Sequence, residues 1–257
     1  SGAAYATILS QMIALTWQIW LFADRSQLLH LCKGTYRLRK AIVRNIIGIG
    51  MSPFLMNVCA CIVVIFINKG LLQYGGDLTV GAYGIANRTA FVFVMVVMGI
   101  NQGMQPIAGY NYGARNTARL MKTLKLSMLA ATVVTTSGFL VAEFIPELCA
   151  RMFTPDEQLI GLAAHGLRII MATFPIVGYQ MVVTNFFVSI GMAKTSIFLS
   201  MSRQMLFLFP LLLLLPLEFG VNGVWMSMPI SDTLSALVTL WFMVRYMNKM
   251  KNENQTL

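Results

Sequence analysis

Apolar runs over residues 3–22, 46–67, 79–108, 123–146, 159–190, 197–216 and 221–244, divided by short charge-bearing breaks, occupy most of the chain. A helix rising 1.5 Å per residue needs about 20 such residues to cross a hydrocarbon core of about 30 Å. Each run therefore predicts one transmembrane helix. The runs at 79–108 and 159–190 exceed the span and are expected to tilt, break or continue into water. Apolar positions follow one another rather than alternate, which excludes a membrane barrel built from alternating segments of about 10 residues. The pattern predicts an all-α integral membrane protein with about seven transmembrane helices.

Composition agrees: 57% of residues are hydrophobic and only 11% charged, and the mean hydropathy is +0.71. The formal charge of +10 raises the question of nucleic acid, but its placement answers differently. Arg25, Lys33, Arg37, Arg39, Lys40 and Arg44 fall between the first two runs, and Arg115, Arg119 and Lys122 between the third and fourth. Lys194 follows the fifth, and Arg245, Lys249 and Lys251 follow the seventh. All lie on one side of an up-and-down topology, opposite Lys69, Arg151, Asp77, Glu147, Asp156, Glu157 and Glu218. The positive-inside rule makes the first side cytoplasmic, with the N-terminus outside and the C-terminus inside. The charge sets orientation, and no nucleic-acid partner is expected.

The longest break, residues 23–45, contains "KGTYRLRKAIVRN", which fits a solvated topology loop better than a short helix on anionic headgroups. Cys59 and Cys61 sit two apart on a predicted helix, about 200° around its axis, and cannot share a metal. They are read with Cys32 and Cys149 as small apolar residues or unpaired thiols. Neither His30 nor His165 has a catalytic partner at helical spacing, so no enzyme, metal site or cofactor is expected. Ser1 is followed at once by a hydrophobic run with no Met and no basic region, which suggests a fragment.

Polar residues inside the runs are the candidate chemistry, because a charge at mid-bilayer costs at least about 2.5 to 3.5 kcal/mol and defaults to a paired or functional role. Arg88, Arg168, Glu143 and Asp232 are such charges, and pairing of an arginine with Glu143 or Asp232 is the first expectation. Amides add a second set: Asn57, Asn101, Gln102, Gln105, Gln180 and Asn185, with Met98, Gln102 and Gln105 on one helical stripe bordered by Asn101. Either a pocket lining or interhelical hydrogen bonds would account for them. Pro53, Pro106, Pro175 and Pro210 are candidate kinks, while Pro216 and Pro229 include helix ends. The nineteen methionines supply soft, adaptable apolar surface.

Several stretches, in order along the whole chain, resemble the MATE family of multidrug and toxic-compound extrusion transporters. "GAAYATILSQ" is similar to that family's sixth helix, and "GINQGMQPIAGYNYGA" to the end of its eighth. "MFTPDEQLI" resembles the connection from ninth to tenth helix. "SRQMLFLFPLLLLLP" with "FGVNGVWMSMPISD", carrying Arg203, Gln204, Pro210, Gly220, Gly223, Trp225, Pro229 and Asp232, resembles the eleventh and twelfth. The resemblance implies residues 1–22 as a helix of an absent N-terminal lobe, 23–45 as a basic inter-lobe loop, 46–247 as a six-helix C-terminal lobe and 248–257 as a cytoplasmic tail. It further implies a drug antiporter of the bacterial cytoplasmic membrane, most similar to the MepA-like branch, with small cationic or aromatic substrates and alternating access. Some branches carry a carboxylate in the seventh helix and another in the tenth, whereas Asn57 and Arg168 are the notable polar groups here. The coupling ion, proton or sodium, is therefore expected in the absent lobe. A lipid-linked oligosaccharide flippase of the same superfamily is the alternative. A seven-helix receptor is remote, since the last run has no lysine for retinal and no "NPxxY"-like signature.

Overall fold

In a computed structural model the described residues, 2–23 and 39–255, are almost entirely helical. The elements are α1 (Gly2–Ala23), α2 (Lys40–Gly113), α3 (Thr117–Phe144), α4 (Pro146–Arg151), α5 (Glu157–Met171), α6 (Phe174–Ser189), α7 (Ala193–Met201), a π-helical turn (Ser202–Leu208) and α8 (Phe209–Gln255). The chain divides into two compact units, Ser1–Ser52 and Pro53–Leu257. In the first unit, α1 is apolar and exposed at every residue from Tyr5 to Ala23, with the Trp17 and Trp20 ring centroids 5.5 Å apart. Most of the basic loop, including Arg25, Cys32, Lys33 and Arg37, lies outside the described residues.

The seven predicted spans reappear once two long helices are seen to be hairpins. An unbroken α2 of 74 residues would be roughly 110 Å long, several bilayer cores. It is interrupted at Gly76, where φ is 74°, a conformation open to glycine and strained for residues with a Cβ. Buried stripes mirror one another about this break: Val63, Ile67 and Leu71 before it, Ala82, Ala86 and Ala90 after it, all in one core cluster. Bulky residues on one arm and alanines on the other let the two arms approach closely. α8 turns likewise at Gly220, with φ 55°. Beyond it a Cβ on Gly223 would collide with the carbonyl oxygen of Leu215, so these arms touch backbone to backbone.

α5 and α6 form the long fifth run, bent by 52° across Ala172–Thr173. Pro175 explains the break, since it offers no N–H to the preceding turn. The π-helical turn lies within the sixth run, where the Phe209 N–H reaches back to the Gln204 carbonyl, five residues earlier. Pro216 and Pro229 sit inside α8, on either side of its turn. Pro106 lies in continuous helix, and the Pro53 side chain falls outside the described residues. Short polar caps close the connections: Asn116 accepts the Arg119 N–H at 3.1 Å, and Asp156 accepts that of Gln158 at 3.0 Å.

The core has two parts. One gathers Leu71, Ala86, Leu167, Met171, Phe174 and Trp225, and the other Leu120, Leu124, Phe186, Phe187 and Met243. The Phe186, Phe187 and Tyr246 rings stand 5.6 to 6.0 Å apart, edge to face. Cys59, Cys61 and Cys149 are free thiols, and burial pushes the Cys149 thiol up from its ordinary value.

A Cβ on Gly166 would run into the Trp225 ring, itself 2% exposed and unable to withdraw. Gly166→Ala is expected to lower stability by about 1 to 3 kcal/mol, the usual range for overpacking. Trp225→Leu in that background should recover part of the loss, as read by thermal unfolding in detergent.

Candidate functional site

The polar residues of the second arm of α2, residues 77–113, do not share one face. At 100° per residue, Arg88, Val92, Met95, Gln102 and Pro106 fall along one side, and all are exposed. Met98 borders them at 45% exposed. Asn101 points into the lobe at 2% exposed. Gln105 turns toward α6, where its Nε2 donates to Asn185 Oδ1 at 3.3 Å. Asn185 in turn donates through Nδ2 to the Met181 carbonyl at 3.0 Å. The expected stripe of Met98, Gln102 and Gln105 is therefore divided, with only Met98 and Gln102 left for a ligand. Asn57, on the first arm of α2, is exposed as well.

Three contacts fix how the second arm of α2 runs beside α5 and α6. A Cβ on Gly81 would lie 3.4 Å from Leu159, Gln105 meets Asn185, and a Cβ on Gly109 would lie 3.2 Å from the Ser189 carbonyl. Partner numbers rise together, so the helices are parallel neighbours. This register sets Asn101 level with Gln180, which is 4% exposed. Gln180 Nε2 donates to Ser235 Oγ on α8, while its Oε1 and both polar atoms of the Asn101 amide are buried with no partner among the described residues. Gln180 is an interhelical bond rather than an exposed lining.

The charges separate in the same way. Asp232 is 7% exposed, and Arg203 of the π-helical turn donates Nε to its Oδ1 at 2.7 Å. Ser231 Oγ donates to the Arg203 carbonyl at 2.8 Å, a second tie between the same segments. This corrects the expected pairing of Asp232 with Arg88 or Arg168. Both those arginines are exposed and form no ion pair among the described residues, and Glu143 is exposed on α3. Sequence reasoning does not single out Arg203 as an intramembrane charge, although opposite charges on two runs joined by one short turn are the available signal. The other ion pair of the described residues, Arg151–Glu157 at 3.2 Å, is solvent-exposed and contributes little.

The arrangement thus offers a membrane lobe whose buried charge is neutralised within it and whose exposed helix face carries an arginine and an amide at depth. The MatE family profile matches residues 48–214. The chain belongs to the MatE family. This MatE chain is 25% identical over 256 residues to the multidrug export protein MepA of Staphylococcus haemolyticus, covering 100% of the chain and 56% of that relative. It spans about half the length of the curated relatives it matches. Among solved structures it resembles the MATE multidrug transporter DinF-BH, solved in complex with a dye, at 34% identity and a TM-score of 0.80 over 95% of this chain and 55% of that one. An outward-facing multidrug resistance MATE family transporter matches at 23% identity and a TM-score of 0.82, over 97% of this chain and 57% of that one. The fold is that of MATE transporters, and the chain is a multi-pass membrane protein.

Asp232→Asn would leave Arg203 without its counter-charge. Breaking a buried pair costs about 3 to 5 kcal/mol, and because the Arg203 side chain is 37% exposed the expected loss is at the low end, about 3 kcal/mol. Arg203→Gln combined with Asp232→Asn should be more stable than Asp232→Asn alone. Denaturant unfolding of the unmodified chain and the two variants in detergent measures both.

Proposed function

We propose that this chain forms the C-terminal lobe, with one preceding helix, of a cation-coupled multidrug efflux antiporter. The carrying observation is the exposed side of the second arm of α2. Arg88 and Gln102 stand there at membrane depth, where contact with hydrocarbon would be costly, so this face meets water, a substrate or the other lobe. The unit from Pro53 onward, compact around a two-part core, is suited to rock as one body in alternating access. Gln102, Met98 and Asn57 line the substrate path, and small cationic or aromatic molecules are the substrates, in keeping with the relatives named as multidrug exporters.

Coupling to a proton or sodium ion is assigned to the absent N-terminal lobe. Asp232, the buried carboxylate among the described residues, is occupied by Arg203. The complete protein resides in the bacterial cytoplasmic membrane, with Ser1 on the outer side and the C-terminal tail inside. Exposed Arg88 favours one second reading, the lipid-linked oligosaccharide flippase, whose anionic cargo would need such a charge.

In the complete transporter, Gln102→Leu should lower efflux of an aromatic cationic dye several-fold at unchanged membrane level. Unchanged efflux removes Gln102 from the path, and absence of any dye efflux by the unmodified protein favours the flippase. Vesicles containing this chain alone should accumulate no dye. For orientation, a lone cysteine at Arg151→Cys should react with a membrane-impermeant maleimide on intact cells. One at Arg115→Cys should react only after the membrane is opened.

A further inference from the structure

Arg168 belongs to a different face from Gln102. Leu159, which faces the second arm of α2, lies nine residues earlier, and nine steps of 100° place Arg168 on the opposite side of α5. There it opens onto a cavity of about 390 Å³ between the α5–α6 bend and the second arm of α8. The other walls are Ile169, Ala172, Met226, Pro229 and Ile230, so Arg168 is its sole charge and sole polar side chain. Arg168 stands eleven residues past Glu157 where α5 begins, a depth of about 16 Å along the helix axis. At that depth it has neither an ion pair nor a side-chain hydrogen bond among the described residues.

The chain break beside the cavity adds unsatisfied polarity. Pro175 has no N–H for the Met171 carbonyl, the Ala172 N–H bonds Ile169 instead of Arg168, and Thr173 Oγ1 is buried without a partner. A site of apolar walls with one unpaired guanidinium at membrane depth suits one ligand chemistry above others. Hydrocarbon fills the walls, and a carboxylate, sulfate or phosphate meets the planar fork of donors with two parallel bonds. A cation or a neutral hydrocarbon would leave the guanidinium unpaired in a low-dielectric surrounding.

We propose that this cavity binds the anionic group of an amphiphile, held by Arg168 with the apolar body against Met226, Pro229 and Ile230. The site is separate from the substrate path on α2 and does not depend on transport. Its ligand comes either from the bilayer, as an acidic phospholipid, or from solution, as a single-chain anion.

The test uses this chain in nanodiscs of phosphatidylcholine and a fluorescent probe, dansyl-aminoundecanoate, beside its neutral methyl ester. The carboxylate should bind about 10-fold or more tightly than the ester, the scale of one charge-assisted bond. Arg168→Gln should abolish that preference and Arg168→Lys retain part of it, while Arg119→Gln, at an exposed arginine remote from both sites, leaves it intact. Met226→Trp, which fills the cavity, should weaken both probes. Thermal unfolding of each variant confirms that it is folded. Repeating the titration in phosphatidylglycerol nanodiscs distinguishes the sources: competition by the lipid lowers probe affinity, whereas unchanged affinity identifies a free amphiphile as the ligand. Equal binding of acid and ester by the unmodified chain, or a preference that survives in folded Arg168→Gln, overturns the proposal. Because no dye transport is measured, loss of the efflux reading would leave this result standing.

Discussion

A charge withdrawn from water inside a membrane bundle must bring its counter-charge with it, and the Arg203–Asp232 pair meets that requirement where α8 folds back on the preceding segment. Much of the lobe's interior order follows from it. Ser227, Ser231, Ser235 and Thr239 recur every fourth residue along α8, each at most 1% exposed, on the side next to Asp232. Ser227 and Thr239 satisfy their hydroxyls on carbonyls four residues back, while Ser231 reaches across to the Arg203 carbonyl and Ser235 receives Gln180 of α6. One polar seam thereby ties three membrane segments together. The π-helical turn belongs to the same device, since its wider winding carries Arg203 and shifts the side chains that follow it.

Around the seam, cohesion comes from shape rather than from water exclusion. Lipid is as apolar as leucine, so helices in a bilayer gain by close approach and dispersion contact. Gly166 under Trp225, Gly178 against Thr135 and the alanines clustered with Leu71 are three forms of that solution. On a surface that is mostly apolar, the exposed exceptions, Arg88, Gln102 and Arg168 among them, are the informative ones.

Run length and charge breaks were enough to read all seven helical segments, because crossing a bilayer imposes a length that soluble folding does not. The breaks at Gly76 and Gly220 were legible as gaps between runs, and the α5–α6 bend as excess length with Pro175 inside it. Residue types pick out polar positions but not their facing. Gln102 and Gln105 sit only about 60° apart on a helix, yet one is exposed and the other bonds Asn185, a division that only the position of α6 determines. Likewise residue type and depth alone do not distinguish Arg203 from Arg168 as the partner of Asp232. Hairpin register decides it, and the seven-residue π-helical turn alters that register in a way hydropathy does not record.

The two reversals at Gly76 and Gly220 meet at the same end of the lobe, where a Cβ on Gly75 would touch Val221. At both turning residues themselves the space for a Cβ is open, with nothing within 4 Å. Size is therefore no obstacle there; mirror symmetry is. A D-alanine introduced by chemical synthesis would suit either backbone conformation, where L-alanine is strained. The lobe's outer turns are selected by chirality, and its interior glycines by volume.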